Sequence, residues 1–199
     1  LNVETLLKRK LDDEQQQKLM NHTLEETERL NSLCNNILLA SQLDSFNYST
    51  HKQETDFSEL VSTAVAAYQK RFTQRIILSS VHENIFLHGE KLLLQMLVNN
   101  LIENALKYSP KDAEIKIELH DNNNEIQFAV IDNGQGINEK EKKKIFDKFY
   151  RTGNENTRMT KGTGLGLYLC KKICEKHNAS IFVSDNLPQG SIFTVTFNA

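Results

Sequence analysis

Apolar and small side chains recur at alternating three- and four-residue steps through the first part of the chain. The stripe consists of seven such residues and is widened by five leucines: Met20, Thr23, Thr27, Leu30, Cys34, Ile37 and Ser41, with Leu19, Leu24, Leu33, Leu38 and Leu43. This spacing is typical of a long amphipathic helix whose seam faces another helix.

Residues 1–45 contain neither Gly nor Pro, and Asp12 or Asp13 suits the N-cap of the long helix. We therefore predict a helical hairpin over 1–45: a short helix to about Lys10, a tight turn and a long helix to about Asp44. Two helices alone bury little apolar surface, so we expect a second copy of the chain to complete a bundle. The hairpin then forms a homodimer.

The rest of the chain alternates between helical and strand patterns. Residues 46–56 are polar and lack periodicity, which predicts a linker, and a domain over 57–199 follows. We predict three helices, at 57–75, 90–108 and 164–177, and strands at 76–81, 85–88, 114–120, 126–131, 181–184 and 191–197. Period-two alternation marks the 114–120 and 126–131 strands. The 114–120 and 126–131 strands form a hairpin. The fold class is therefore α+β, with a mixed, largely antiparallel sheet covered on one face.

Composition excludes several classes of protein. The 199 residues carry 24 Lys and Arg against 26 Asp and Glu, a net charge of −2, which argues against binding nucleic acid. No apolar run approaches the roughly 20 residues of a membrane span, so we expect no membrane contact by this segment. The three cysteines form no CxxC motif, which favours reduced thiols. The chain begins at Leu1 without a Met, so we expect it to be part of something longer.

Polar side chains share one face of the apolar 90–108 helix. Asn100, Asn104, Lys107 and Tyr108 lie at i, i+4, i+7 and i+8. An amide oxygen can ligate Mg²⁺ and a lysine can contact phosphate oxygens. The alternative is a solvated stripe with a lysine that favours the helix dipole. The helix by itself does not separate the two.

Two glycine-containing segments follow. Asp132 ends a predicted strand just before Gly134 and Gly136. Either the segment is an ordinary turn, or the Asp132 carboxylate accepts a hydrogen bond from a base. The second segment, at a predicted helix start, consists of Lys161, Gly162, Thr163, Gly164, Leu165 and Gly166. Its three glycines, within five residues, allow backbone N–H groups to bind an anion. The spacing matches neither a P-loop nor a dinucleotide fingerprint. The long polar span 138–161, with Arg151, Arg158 and Lys161, predicts a basic lid over a triphosphate.

Together these segments resemble the ATP-binding core of bacterial sensor histidine kinases. Residues 100–109 resemble the N box of that family, 132–137 its first glycine box, 145–151 its F box and 162–167 its second glycine box, in the same order. The resemblance implies a Bergerat-type α/β sandwich, with a mixed sheet and helices on one face. It also implies that residues 1–45 are the remnant of the dimerisation and phosphotransfer hairpin.

The resemblance implies roles for individual residues, with ATP and Mg²⁺ as ligands. Asn104 would hold Mg²⁺ with support from Asn100, and Lys107 and Arg151 would stabilise phosphate charge during transfer. Tyr108 would cover the base or ribose, and Asp132 would accept the adenine amino group. The backbone of the glycine boxes, with Lys161, Thr163 and Leu165, would shape the pocket and its lid. Related ATPases such as gyrase have a water-activating Glu where this chain has Asn100, which favours transfer over hydrolysis, although Glu103 lies nearby.

The H box of the family, a His followed by an acidic residue and Pro-Leu, is missing, because none of the six histidines has that context. The resemblance places the acceptor roughly three helical turns before Leu1. We expect a kinase core that transfers the γ-phosphoryl group of ATP to a histidine on such a hairpin, for relay to an aspartate of a response-regulator receiver domain. Its location would be the cytoplasmic portion of a membrane-anchored sensor. The alternatives are another Bergerat-fold ATPase, an anti-sigma-factor type serine kinase, or a non-catalytic dimerising scaffold.

Overall fold

A computed structural model describes residues 12–45, 48, 50–122, 125–152 and 162–198. Helix α1 spans Asp13–Asp44, and the Asp12 side chain caps it by accepting a hydrogen bond from the backbone N–H of Gln15 at 2.7 Å. The predicted long helix and its cap are thus confirmed. The predicted short helix to about Lys10 lies outside the described residues, as do Arg158 and Lys161.

The remaining elements follow the predicted alternation of helices and strands. They are β1 (Gln53–Asp56), α2 (Phe57–Arg71), β2 (Ile76–Val81), β3 (Phe86–Gly89), α3 (Lys91–Tyr108), β4 (Glu114–Asp121), β5 (Glu125–Asp132), a 3₁₀ turn (Lys144–Phe146), α4 (Gly166–Lys176), β6 (Ala179–Asp185) and β7 (Ser191–Asn198). Strand order in the main sheet is β2-β4-β5-β7-β6. Only the β2–β4 pair is parallel, so the sheet is mixed and largely antiparallel, as predicted.

The helices α2, α3 and α4 pack on the sheet, and the burial of alternate side chains shows that they cover one face. On β4 the side chains of Ile115, Ile117 and Leu119 are fully buried, whereas Lys116 and Glu118 between them remain partly exposed. Period-two alternation produces this split because successive side chains point to opposite faces. The open face of the sheet is therefore the one that carries Lys116, Glu118 and His120.

Two sequence predictions were wrong in detail. The predicted linker 46–56 contains β1, which pairs antiparallel with β3 in a separate two-stranded sheet. Its only buried side chain is Thr55, so the sequence shows no apolar alternation, and the strand depends on backbone pairing with a distant segment. Helix α2 ends at Arg71 rather than 75. The Arg75 guanidinium instead donates hydrogen bonds to the carbonyls of Leu106 and Pro110 at the end of α3.

Candidate nucleotide-binding site

A cavity of about 420 Å³ lies where α3, the end of β5 and the start of α4 meet. It brings together residues from all the predicted motifs: Asn100, Asn104, Lys107, Tyr108, Asp132, Gly136, Arg151, Gly162, Thr163, Gly164 and Gly166. These motifs are remote from one another in the sequence. The stripe on α3 is therefore the wall of a pocket rather than a merely solvated face.

The two asparagines on α3 are held differently. The side-chain amide of Asn100 donates a 2.8 Å hydrogen bond to the carbonyl of Met96 one turn earlier, which fixes its oxygen toward the glycine loop. The amide nitrogen of Asn104 is buried and has no hydrogen-bond partner among the described residues. A buried polar group left unpaired is costly, so this amide fits a polar ligand in the cavity. A flip of the side-chain amide exchanges the positions of its nitrogen and oxygen, so the oxygen can face the ligand instead. Asn104 therefore suits a site for phosphate oxygens and their metal ion.

The second glycine box lies against the polar face of α3. A Cβ at Gly166 would come within 2.8 Å of the Asn100 Oδ1, and one at Gly162 would overlap the Lys107 Nζ. Gly164 has a φ of +72°, a left-handed conformation that side chains disfavour. Gly164 is therefore required by its conformation and by the Phe149 backbone 2.7 Å away, whereas at Gly162 the flexible Lys107 side chain could shift. Lys107 itself lies 4.8 Å from the centroid of the Tyr108 ring.

Asp132 is the last residue of β5 and is 3% exposed. Its Oδ1 accepts a 2.8 Å hydrogen bond from the backbone N–H of Gly134. Ser191 lies opposite it on β7 and also donates hydrogen bonds to the carboxylate. Burial raises the pKa of Asp132 above 3.8, and the hydrogen bonds from Gly134 and Ser191 oppose that rise. The carboxylate is thus fixed in place and faces the cavity as a hydrogen-bond acceptor.

Three of the predicted site residues are not seen at the cavity wall. Gly134 donates its backbone N–H to the Asp132 carboxylate, and a Cβ there would lie 2.7 Å from the carbonyl oxygen of Tyr108. Leu165 is completely buried just before α4, so it packs inside the protein instead of facing a ligand. Lys161 lies outside the described residues.

Helix α1 adds residues that the sequence did not associate with the site. Arg29, Ser32, Leu33 and Asn36 line the same cavity. They lie on the side of α1 that continues into the buried Ala40 and Leu43. Leu33 and Leu43 thus belong to this side, whereas the exposed members of the predicted stripe face away from it. The helical period predicts that these residues share a face, but only the packing of α1 against α4 shows what that face covers.

The end of α1 is held by a cluster of polar contacts. The Tyr168 hydroxyl on α4 donates a hydrogen bond to the Asp44 carboxylate, and the Nζ of Lys148 lies 3.3 Å and that of Lys172 3.8 Å from the same group. The Tyr168 hydrogen bond lowers the pKa of Asp44 below 3.8; burial opposes this, and the two lysines add to it. These contacts tie the helix to the F box and to the helix that follows the second glycine box.

A mixed sheet with helices on one face, and a cavity of about 420 Å³ between an asparagine-bearing helix and a glycine loop, are typical of a nucleotide-binding ATPase fold. The chain belongs to the family described as histidine kinase-, DNA gyrase B- and HSP90-like ATPases, whose model matches residues 89–199. Relatives that match most of the chain are named as sensor proteins and sensor protein kinases, and the matched family is that of histidine kinase-like ATPases. This confirms the predicted family and Bergerat-type fold.

The sensor protein KdpD of Clostridium acetobutylicum is 34% identical over 92% of this chain, which spans only 20% of that relative. The structure of ThkA in complex with the response regulator TrrA aligns over 98% of this chain and 55% of that one, at 22% identity and a TM-score of 0.77. Full-length ShkA with AMPPNP aligns over 100% of this chain and 42% of that one, at 22% identity and a TM-score of 0.76. No helix in the described part of the chain is both long and apolar enough to cross a membrane.

Proposed function

We propose that this chain binds Mg²⁺-ATP and transfers the γ-phosphoryl group to a histidine on a helical hairpin, for relay to an aspartate of a response-regulator receiver domain. The observation that carries the proposal is the convergence of the α3 amides, Asp132 and the glycine loop on one cavity. The response regulator in the ThkA complex supports the proposed partner. The relatives are named as sensors, which supports a place in the cytoplasmic part of a membrane-anchored protein.

Asp132 anchors the adenine end of the nucleotide. A buried carboxylate that is already held by Gly134 and Ser191 is a rigid acceptor, and the exocyclic amino group of adenine is a donor of matching chemistry. Tyr108 lines the cavity beside it and covers the base or ribose. This contact does not depend on the γ-phosphate, so ATP and ADP share it.

The phosphates lie along the polar face of α3. Asn104, supported by Asn100, would hold Mg²⁺, which when bound neutralises phosphate charge. Lys107 and Arg151 line the cavity and stabilise the charge that develops on the transferred group. The backbone N–H groups between Gly162 and Gly166, at the start of α4, suit phosphate oxygens.

Glu103 also lines the cavity, but its carboxylate is engaged in a contact between helices. Its Oε1 accepts a 2.9 Å hydrogen bond from the Tyr68 hydroxyl on α2, so the carboxylate helps to join two helices. The position that holds the catalytic Glu in the hydrolytic relatives is Asn100 here. The cavity therefore favours transfer to an imidazole over hydrolysis.

The exposed apolar residues of α1 support the proposed homodimer. Met20, Leu24, Leu30, Ile37 and Leu38 are each at least 41% exposed. With 3.6 residues per turn they lie on one side of the helix, away from the side that packs on α4. A second copy of the helix covers this apolar surface.

The test is transfer of label from γ-³²P-ATP. The chain alone binds Mg²⁺-ATP but stays unlabelled, because none of its six histidines has the H-box context. It labels a supplied hairpin that carries the H-box histidine, and the label is acid-labile and base-stable. Replacing that histidine by alanine in the hairpin is the matched control. Acid-labile label on the chain alone would show that the acceptor is one of its own histidines, and an unlabelled hairpin would refute the kinase assignment.

A further inference from the structure

Two histidines meet on the open face of the sheet, at the end opposite the nucleotide cavity. Strands β2 and β4 are parallel, with Val81 opposite Leu119, and the N–H of His82 continues the ladder by donating to the carbonyl of Leu119 at 2.9 Å. His82 therefore lies beside His120. The Nε2 of His82 is 3.1 Å from the Nδ1 of His120. Asp132 pairs with Ile115, at the other end of β4.

The geometry points to a site for a transition-metal cation such as Zn²⁺ between His82 and His120. Two Zn–N bonds of about 2.0–2.1 Å at a tetrahedral angle place the nitrogens roughly 3.3 Å apart, close to the separation here. The rings are nearly perpendicular, at 75°, so one nitrogen of each already faces the other. When the neutral ring that donates this hydrogen bond takes its other tautomer, with the proton on its far nitrogen, both facing nitrogens present a lone pair to one ion.

The neighbouring carboxylate strengthens the pair. Glu118 lies two residues before His120 on the same face, and its Oε2 is 3.8 Å from the Nε2 of His120, the nitrogen that faces away from His82. A metal-bound histidine commonly donates its other N–H to a carboxylate, which fixes the tautomer and raises its basicity as a ligand. Lys116 forms an ion pair with the same carboxylate and holds it in place.

The donor set selects the class of ion. Imidazole nitrogens suit Zn²⁺, Cu²⁺ and Ni²⁺, whereas Mg²⁺ and Ca²⁺ prefer oxygen ligands. No three His, Cys, Asp or Glu side chains converge on one point in the described ranges, so the ion takes two protein ligands and water. The site joins the edge strand β2 to β4. Binding to the folded chain therefore raises its thermal stability.

The test is titration of the full chain with Zn²⁺ in calorimetry. Cys34 is an exposed thiol and a competing soft ligand, so Cys34→Ser is the background. We expect one saturable Zn²⁺ site and a Zn²⁺-dependent rise in the unfolding midpoint. His82→Ala and His120→Ala each remove most of the affinity, and Glu118→Gln lowers it about tenfold. His22→Ala, at an exposed histidine on α1, is the matched control and changes neither.

Two further readings distinguish a ligand role from a structural one. Without Zn²⁺, the unfolding midpoints of the variants match that of the parent, because both histidines lie on the surface. Cu²⁺ bound to the parent shows electron paramagnetic resonance couplings to two imidazole nitrogens, and to one in each single variant. Absence of saturable Zn²⁺ binding, or its survival in His82→Ala with His120→Ala, overturns the site. So does equal loss in His22→Ala.

Discussion

Asp132 combines a functional contact with a cost in stability. Its carboxylate is nearly fully buried, and burial raises its pKa while Gly134 and Ser191 lower it. An acid whose pKa is raised on folding destabilises the folded state once pH passes above the ordinary carboxyl value and through the raised one. Above that window the cost is complete. A buried carboxylate that costs stability fits the binding role proposed for it.

We expect Asp132→Asn to weaken ADP and ATP equally, by about 10- to 100-fold, because a charged acceptor for the adenine amino group is lost. At neutral pH the same change raises the unfolding midpoint of the nucleotide-free chain, since no buried charge remains. Calorimetry measures the first effect and differential scanning the second. Asp121→Asn, at an exposed carboxylate of β4, is the control and changes neither. Unchanged ADP affinity would refute the adenine assignment.

Arg151 lines the cavity, and in the proposed function it acts on the γ-phosphate. We expect Arg151→Ala to lower phosphoryl transfer to the supplied hairpin by about ten- to a thousandfold, because one donor to the developing charge is removed. The affinity of this variant for ADP is unchanged. Labelling rates and ADP calorimetry separate the two effects, and Arg71→Ala on α2 is the matched control. A parallel loss of ADP affinity would place the guanidinium elsewhere on the nucleotide.

At the scale of elements, the end of α1 depends on Asp44. A carboxylate at a helix C-terminus is disfavoured by the helix dipole, so this residue needs partners outside its own helix. Tyr168, Lys148 and Lys172 supply them. Because the pKa of Asp44 is lowered, the contact contributes stability above the ordinary carboxyl value of 3.8 and loses it as pH falls through the lowered pKa.

We expect Asp44→Ala to loosen the last turns of α1 from α4. Backbone amides of residues 36–44 then exchange with deuterium at least several-fold faster, while those of the β5 and β7 strands are unchanged. Hydrogen-exchange mass spectrometry at neutral pH measures this. Glu28→Ala removes an exposed carboxylate from the same helix and leaves the rates as they were. Equal protection in Asp44→Ala would show that Ala40 and Leu43 hold the helix by themselves.

At the scale of the whole molecule, α1 has two distinct sides. One side packs on α4 and lines the cavity through Arg29 and Asn36. The other exposes Leu30 and Ile37, which are 60% and 41% exposed. Contiguous exposed apolar surface of this kind marks an interaction site. A dimer formed there would leave the nucleotide cavity of each copy accessible to the other copy's hairpin.

We expect a monomer–dimer equilibrium in sedimentation that the double change Leu30→Glu with Ile37→Glu shifts to monomer, because two charges would be buried against apolar partners. ADP affinity is unchanged, since neither residue lines the cavity. Asn21→Glu adds a charge at an exposed position of the same helix, on the opposite side from Leu30 and Ile37, and leaves the dimer in place. If sedimentation finds only monomer at every concentration, and in longer versions of the chain as well, then the apolar side does not form a homodimer.

The sequence alone determined the parts of this protein that depend on local periodicity and local chemistry. The stripe of α1 marks its apolar side, which is exposed in the single chain. The alternation of β4 and β5 reports which face is buried, and the Asp12 cap shows how a helix begins. Together with the resemblance they indicated the ATP-binding fold, and most of the predicted site residues, Asn104 and Asp132 among them, line one cavity.

Only the tertiary structure decided what each face meets. Strand β1 forms from polar residues because the backbone of β3 pairs with it. Leu165 is buried because the glycine loop packs against the rest of the domain. Arg29 reaches the cavity because α1 packs on α4, and His82 reaches His120 through a parallel pairing across an intervening helix. A periodic pattern records that a side chain is covered, whereas the identity of its partner depends on contacts between segments far apart in the chain.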